Sequence, residues 1–126
     1  EMFFMDFKKM EQEKMKKVNE IFHLCIEINA FENRQKTMTG SKPTIFFNFL
    51  GHVAGLEIEI FQTGWVKNEK ADKKFCIYLD NYFRRLHDFE EIAEEHEMEI
   101  KAELDDCIQY LKWVKEGSHE HLQQVI

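Results

Sequence analysis

The sequence predicts an α+β domain of order α-β-β-β-α: an N-terminal helix, a three-stranded antiparallel meander and a long C-terminal helix. Three observations carry this. Residues 6–33 and 81–116 contain no Gly or Pro, and their apolar residues recur at helical spacing. Residues 44–80 change to period two. Four of the five glycines, and the single proline Pro43, fall between residues 34 and 65. At 126 residues the chain suits one domain, 1–126.

The first helix is expected over residues 1–33. Phe3, Phe7 and Met10 share a face, as do Val18, Ile21, Phe22, Cys25 and Ile28, while Lys14 and Lys17 interrupt the seam between the two sets. A break near Lys14 is the alternative to one rod. Glu13 and Lys17 form a favourable i,i+4 pair on the polar side. RQKTMTGSKP, residues 34–43, reads as a loop.

The meander follows over 44–80. Its strands are TIFFNFL (44–50), LEIEIF (56–61) and KKFCIYLD (73–80). Leu56, Ile58 and Ile60 take the core face, which sends Glu57 and Glu59 to water. Gly51 and Gly55 flank the first connection and Gly64 follows the second strand, all places where a turn calls for positive φ. VKNEKAD, residues 66–72, is a polar loop.

The last helix is expected over 81–116. Leu86, Ala93, Ile100, Cys107 and Val114 recur every seven residues, with Phe89 and Tyr110 on one side and Leu104 and Leu111 on the other. Asp80 or Asn81 would cap its start and Gly117 its end, leaving 117–126 as a tail. Both helices outrun strands of six to eight residues, so an apolar stripe must project. That stripe calls for the other helix or a second copy, and a homodimer through the helices is the expectation.

Composition narrows the function. No apolar run approaches the roughly 20 residues of a membrane span, and EMFFMDFKKMEQEK lacks a signal-peptide layout. Cys25, Cys76 and Cys107 are widely spaced and odd in number, so reduced thiols in the cytoplasm are expected. The net charge of −7 resides in residues 84–126, which carry five Lys/Arg against twelve Asp/Glu. Such a surface repels phosphate, which argues against direct nucleic-acid binding.

No catalytic, cofactor or metal constellation emerges. His52 stands in Gly-His-Val with no nucleophile at a known spacing, and reads as a structural histidine bonded to backbone at a sheet end. EEIAEEHEME (90–99) is dense in carboxylates, but neither His87 nor His96 has a Glu three residues before it; Glu20–His23 fits that spacing, and one such helical pair builds no carboxylate-bridged site. The acidic run therefore reads as a solvated face, with His96 on the apolar stripe. Ser118-His119-Glu120-His121 lacks further nearby ligands. Trp65 either closes one end of the core or is an exposed binding residue.

FNFLGHVAGLEIEIFQTGW, followed by FCIYLD, resembles small orphan accessory proteins of phages and mobile elements from low-GC Gram-positive bacteria. The likeness covers residues 44–80 and lies in Gly51-His52-Val53 and Gly64-Trp65. It implies a class, factors that bind and modulate a host or phage protein, and assigns no site. The functional expectation is thus a non-enzymatic interaction protein with a protein partner. The alternative is an acidic inhibitor occupying the nucleic-acid site of an enzyme such as a nuclease. Residues 88–106 motivate it with ten Asp/Glu against one Lys. Candidate partner-binding residues are Trp65, Glu91, Glu94, Glu95, Asp105 and Trp113.

Overall fold

A computed structural model describes residues 2–81 and 93–125, with side chains for 9–81 and 95–117. The elements are α1 (Met2–Asn29), a single-turn α2 (Lys36–Thr39), β1 (Thr44–Leu50), β2 (Gly55–Phe61), β3 (Lys73–Tyr78) and α3 (Ala93–Val125). The three strands form one antiparallel sheet in the order β1-β2-β3. This is the expected α+β architecture. Both helices lie on one face of the sheet, α1 against β1 and α3 against β3.

The sheet's alternation sets the core. Ile45 pairs with Ile60, Phe47 with Ile58, and Leu56 with Ile77. Leu56, Ile58 and Ile60 are fully buried beneath the helices. Glu57 and Glu59 occupy the opposite face, where they are half-buried, and Glu57 lies 3.8 Å from Lys74.

The helices pack on each other within the chain. Ile21, Leu24, Cys25 and Ile28 of α1 join Ile100, Leu104, Cys107, Ile108, Leu111 and Val114 of α3 in the core. The seven-residue row of α3 that called for a partner is therefore covered by the chain itself from Ile100 to Val114. Leu86 of that row and Phe89 beside it lie outside the described residues, as does the side chain of Ala93. Burying each of Ile100, Leu104 and Leu111 stabilises by roughly 1.5–3 kcal/mol.

The two helices run parallel, because their ion-pair partners ascend together. Glu13 meets Lys101, Lys17 meets Asp105, Glu20 meets Lys112 and Glu27 meets Lys115. The seam between these pairs keeps heptad spacing. Lys14, Ile21 and Ile28 repeat by sevens on α1, Glu97, Leu104 and Leu111 on α3, and all six are buried. Lys14 does not break α1. It occupies a core position opposite Glu97, and the helix continues from Met2 to Asn29.

Several local details differ from expectation, and β3 ends at Tyr78 rather than at Asp80. Helix α1 stops at Asn29 rather than 33, because Ala30 turns left-handed at φ 54°. Arg34 then caps the end: its Nε donates to Asn29 O at 2.7 Å and its Nη2 to Ile28 O at 2.9 Å. The loop 34–43 contains α2. The β1–β2 turn takes its positive φ at Ala54 (48°), not at Gly51 or Gly55. Helix α3 passes through Gly117 to Val125, since an exposed Gly weakens a helix without ending it. The capped start expected at Asp80 or Asn81 falls against residues outside the description.

Gly64 does require glycine. Its φ is 96°, and a Cβ there would lie 2.8 Å from Gly40 O. At the free edge of the sheet Asn29 acts as a clamp. Its Nδ2 donates to Ile45 O at 2.8 Å and its Oδ1 accepts from Ile45 N at 2.7 Å. The edge strand is thereby closed at its first turn.

Candidate functional site: an apolar groove over a buried ion pair

The groove exists because a helix outruns a strand. Asn29 holds the end of α1 to Ile45 at the start of β1. From there back to Lys14 the helix covers about 22 Å at 1.5 Å per residue. Strand β1 from Ile45 to Leu50 covers about 17 Å at 3.3 Å per residue. Phe22 still meets Phe47 edge-to-face at 5.4 Å, but the turns before it pass the end of the sheet. A groove of about 840 Å³ opens there. That is within the ~300–1,000 Å³ usual for ligand-binding clefts.

Its walls are apolar. Met15, Val18 and Phe22 come from α1, Phe47 and Phe49 from β1, and Leu79 from the position just after β3. Three of these are large side chains left open to solvent: Met15 at 63%, Phe49 at 54% and Phe22 at 44% exposure. Three such residues gathered in one concavity mark an interaction surface far better than scattered ones do.

The floor is charged and closed upon itself. The Lys14 ammonium donates to Leu79 O at 2.9 Å and to Glu97 Oε1 at 3.2 Å, and pairs with Glu11 Oε1 at 2.8 Å. Asn81 Nδ2 donates to Glu97 Oε1 at 2.8 Å. An ammonium has three N–H groups, and here each has a partner. Lys14 is therefore fully committed and has no donor left for a ligand. Glu97 Oε2 lies 3.1 Å from Lys14 Nζ, yet it is buried without a directed hydrogen bond.

The residues singled out from sequence fall elsewhere and are not brought together. Trp65 is half-buried on the outer face of the sheet, 6.5 Å from Phe46, so it does not close an end of the core. Its backbone bridges to the loop before α2: Lys36 N donates to Trp65 O and Trp65 N to Arg34 O. Trp113 is 59% exposed on α3, its ring 5.5 Å from Tyr110. Asp105 is ion-paired with Lys17 and Glu95 is exposed. Glu91 lies outside the described residues, as do the side chains of Glu94, His119 and His121.

His52 is exposed in the β1–β2 turn and makes no side-chain hydrogen bond among the described residues, so it is not the backbone-bonded histidine expected. His96 is buried, with Nδ1 3.4 Å from Glu99. Among the described residues, no three His, Cys, Asp or Glu side chains converge as metal ligands would. Nor is any helix there long and apolar enough to cross a membrane. Cys25 and Cys107 are free and buried in the helix seam, and burial pushes both thiols up to about 12.

The groove residues carried a faint signal in the sequence. TIFFNFL holds three phenylalanines over four positions, more than one strand face can bury. Phe22 stands beside Ile21, and two adjacent helical residues cannot share one narrow seam. Comparison with family models, with curated proteins and with solved structures returned no match.

Proposed function

We propose that this protein is a non-enzymatic interaction module that binds an apolar segment of a partner protein in the groove between α1 and the end of the sheet. The observation that supports this is the pairing of an open apolar wall with a closed polar floor. Met15, Phe22 and Phe49 remain solvent-exposed in a concave surface, while Lys14 below them has all its donors engaged. Such a site recognises by shape and desolvation, and offers no free nucleophile. Binding and modulating another protein is also the mode of action implied by the accessory class that residues 44–80 resemble. A host protein of a phage or mobile element is the partner that class suggests.

The acidic-inhibitor reading gains no specific observation. Two of its carboxylates, Glu97 and Asp105, are paired with lysines of α1, which reduces the charge available on that face.

The test compares two surface variants with the wild-type protein in affinity capture from the native host, read by mass spectrometry. Met15→Glu should keep the fold, since the side chain is exposed, and lose the captured partner. Glu95→Gln/Asp105→Asn should retain it. The opposite pattern rejects the groove and supports the acidic face.

A further inference from the structure

We infer that two copies of this chain pair through the free edge of β1, antiparallel and centred on Asn48, to form one six-stranded sheet. This goes beyond the interaction-module reading. It moves the expected homodimer from the helices, whose stripe the chain itself covers, to the sheet edge.

The hydrogen-bond phase of the sheet shows which edge groups are open. Leu79 N donates to Ala54 O, so the even-numbered residues of β2 direct their backbone groups toward β3. Its odd-numbered residues face β1, where Glu57 pairs with Asn48 and Glu59 with Phe46. In an antiparallel ladder the intervening β1 residues, Ile45, Phe47 and Phe49, turn their N–H and C=O groups to the outer edge. Asn29 satisfies both groups of Ile45. That leaves Phe47 and Phe49, whose edge groups have no partner among the described residues.

Two open residues at this spacing select a register. Setting Phe47 opposite Phe49 of the partner subunit, and Phe49 opposite the partner's Phe47, uses all four open groups in backbone bonds. Setting either residue opposite its own copy uses half as many. The full register places Asn48 on the two-fold axis, against Asn48 of the partner subunit, on the outer face where its side chain is exposed. An amide carries both a donor and an acceptor, so two asparagines there complement each other, whereas two like charges would repel. On the helix side, the partner's Phe47 would extend the apolar wall that Phe49 gives the groove.

The charges agree with a second copy. Strand β1 has no charged residue, while the opposite edge strand β3 carries Lys73 and Lys74, which discourage edge pairing. The two ends of β1 differ in sign. Residues 32–43, leading into it, hold Arg34, Lys36 and Lys42 against Glu32. At the groove end, Glu11 and Glu97 share Lys14. Antiparallel pairing brings the basic end of each copy beside the acidic end of the other. The net charge of −7 opposes this little. Residues 1–83 carry twelve Lys/Arg against twelve Asp/Glu, and α3 of the acidic C-terminal part packs on β3, the far edge of the sheet.

The test uses the full chain with Cys76→Ser, which removes the exposed thiol. Sedimentation should give a dimer, and amide exchange at Phe47 and Phe49 should slow by about ten-fold or more from low to high protein concentration. Asn48→Cys should cross-link two copies under mild oxidation, since facing residues of a non-hydrogen-bonded pair lie about 4.5 Å apart at Cα. Asn48→Lys should keep the circular dichroism spectrum and weaken association about ten-fold by placing two cations on the axis. A chain that stays monomeric at high micromolar concentration overturns the inference, as does a dimer that Asn48→Lys leaves intact. Cross-linking through Phe46→Cys in place of Asn48→Cys overturns the register. No captured partner enters these measurements, so their failure leaves the groove reading standing.

Discussion

Lys14 carries the largest consequence of any single residue. A charge at a core position is tolerable only because Glu11, Glu97 and the Leu79 carbonyl surround it. Lys14→Met removes one partner and leaves Glu97 buried beside Asn81 alone. We expect a loss of about 3 kcal/mol in urea denaturation, on the scale of other broken buried pairs. Lys14→Met/Glu97→Leu should recover most of that, because two apolar side chains then fill the layer. A double variant as unstable as the single one would show that the layer's role is not charge compensation. The thiols give a second residue-scale prediction. Cys25 and Cys107, buried and raised to about 12, stay protonated at pH 8, and Cys76 is exposed. An aromatic disulfide reagent should titrate one thiol per native chain and three after unfolding.

At the scale of elements, register is set by side chains that meet across large sequence distances. The Lys14–Glu97 layer is satisfied in one alignment of α1 and α3, and a single polar layer in a heptad seam specifies register at some cost in stability. The flanking pairs act with it. Hydrogen bonds from Lys101 and Lys115 hold Glu13 and Glu27 below the ordinary carboxylate value of 4.5. For a carboxylate depressed in the folded state, the stabilisation is complete above the unfolded value and is lost as the pH falls through the folded one. The urea midpoint should therefore decline from about pH 4.5 downward. Glu13→Gln/Glu27→Gln should make that decline shallower, and an unchanged slope would remove the pairs from the account. Two glycines should respond in opposite directions. Gly64→Ala forces a Cβ against Gly40 O at positive φ, and should cost about 1–3 kcal/mol. Gly117→Ala, in an exposed turn of α3 with open space around it, should stabilise by about 0.5–1 kcal/mol.

The whole molecule is a short sheet roofed by two longer helices, and the mismatch in length opens the apolar groove beside β1. Much of this was legible in the chain. LEIEIF announced a core strand by strict alternation, and the row from Ile100 to Val114 announced a buried helical stripe. The strand order followed from short connections. The site was less legible. Aromatic residues draw attention by type, so Trp65 and Trp113 stood out, yet their positions place them on separate surfaces away from the groove. Met15, Phe22 and Phe49 looked like surplus core residues and are instead its exposed walls. Exposure depends on which neighbour lies across a gap, and spacing along one segment carries no information about that gap.

By itself the sequence determined the elements and their buried faces, because helix and strand periodicities are local and strong. It also determined that the helices must overhang the strands, since rise per residue converts length directly into distance. Only the tertiary structure decided that α1 and α3 run parallel against each other within one chain, and that Lys14 joins the seam instead of breaking it. It also decided that the overhang forms a groove ending at an open strand edge. The first two turn on residues more than sixty positions apart, and the groove on neighbours from separate elements such as Phe22 and Phe47, so the energy comes from contacts that no local pattern encodes.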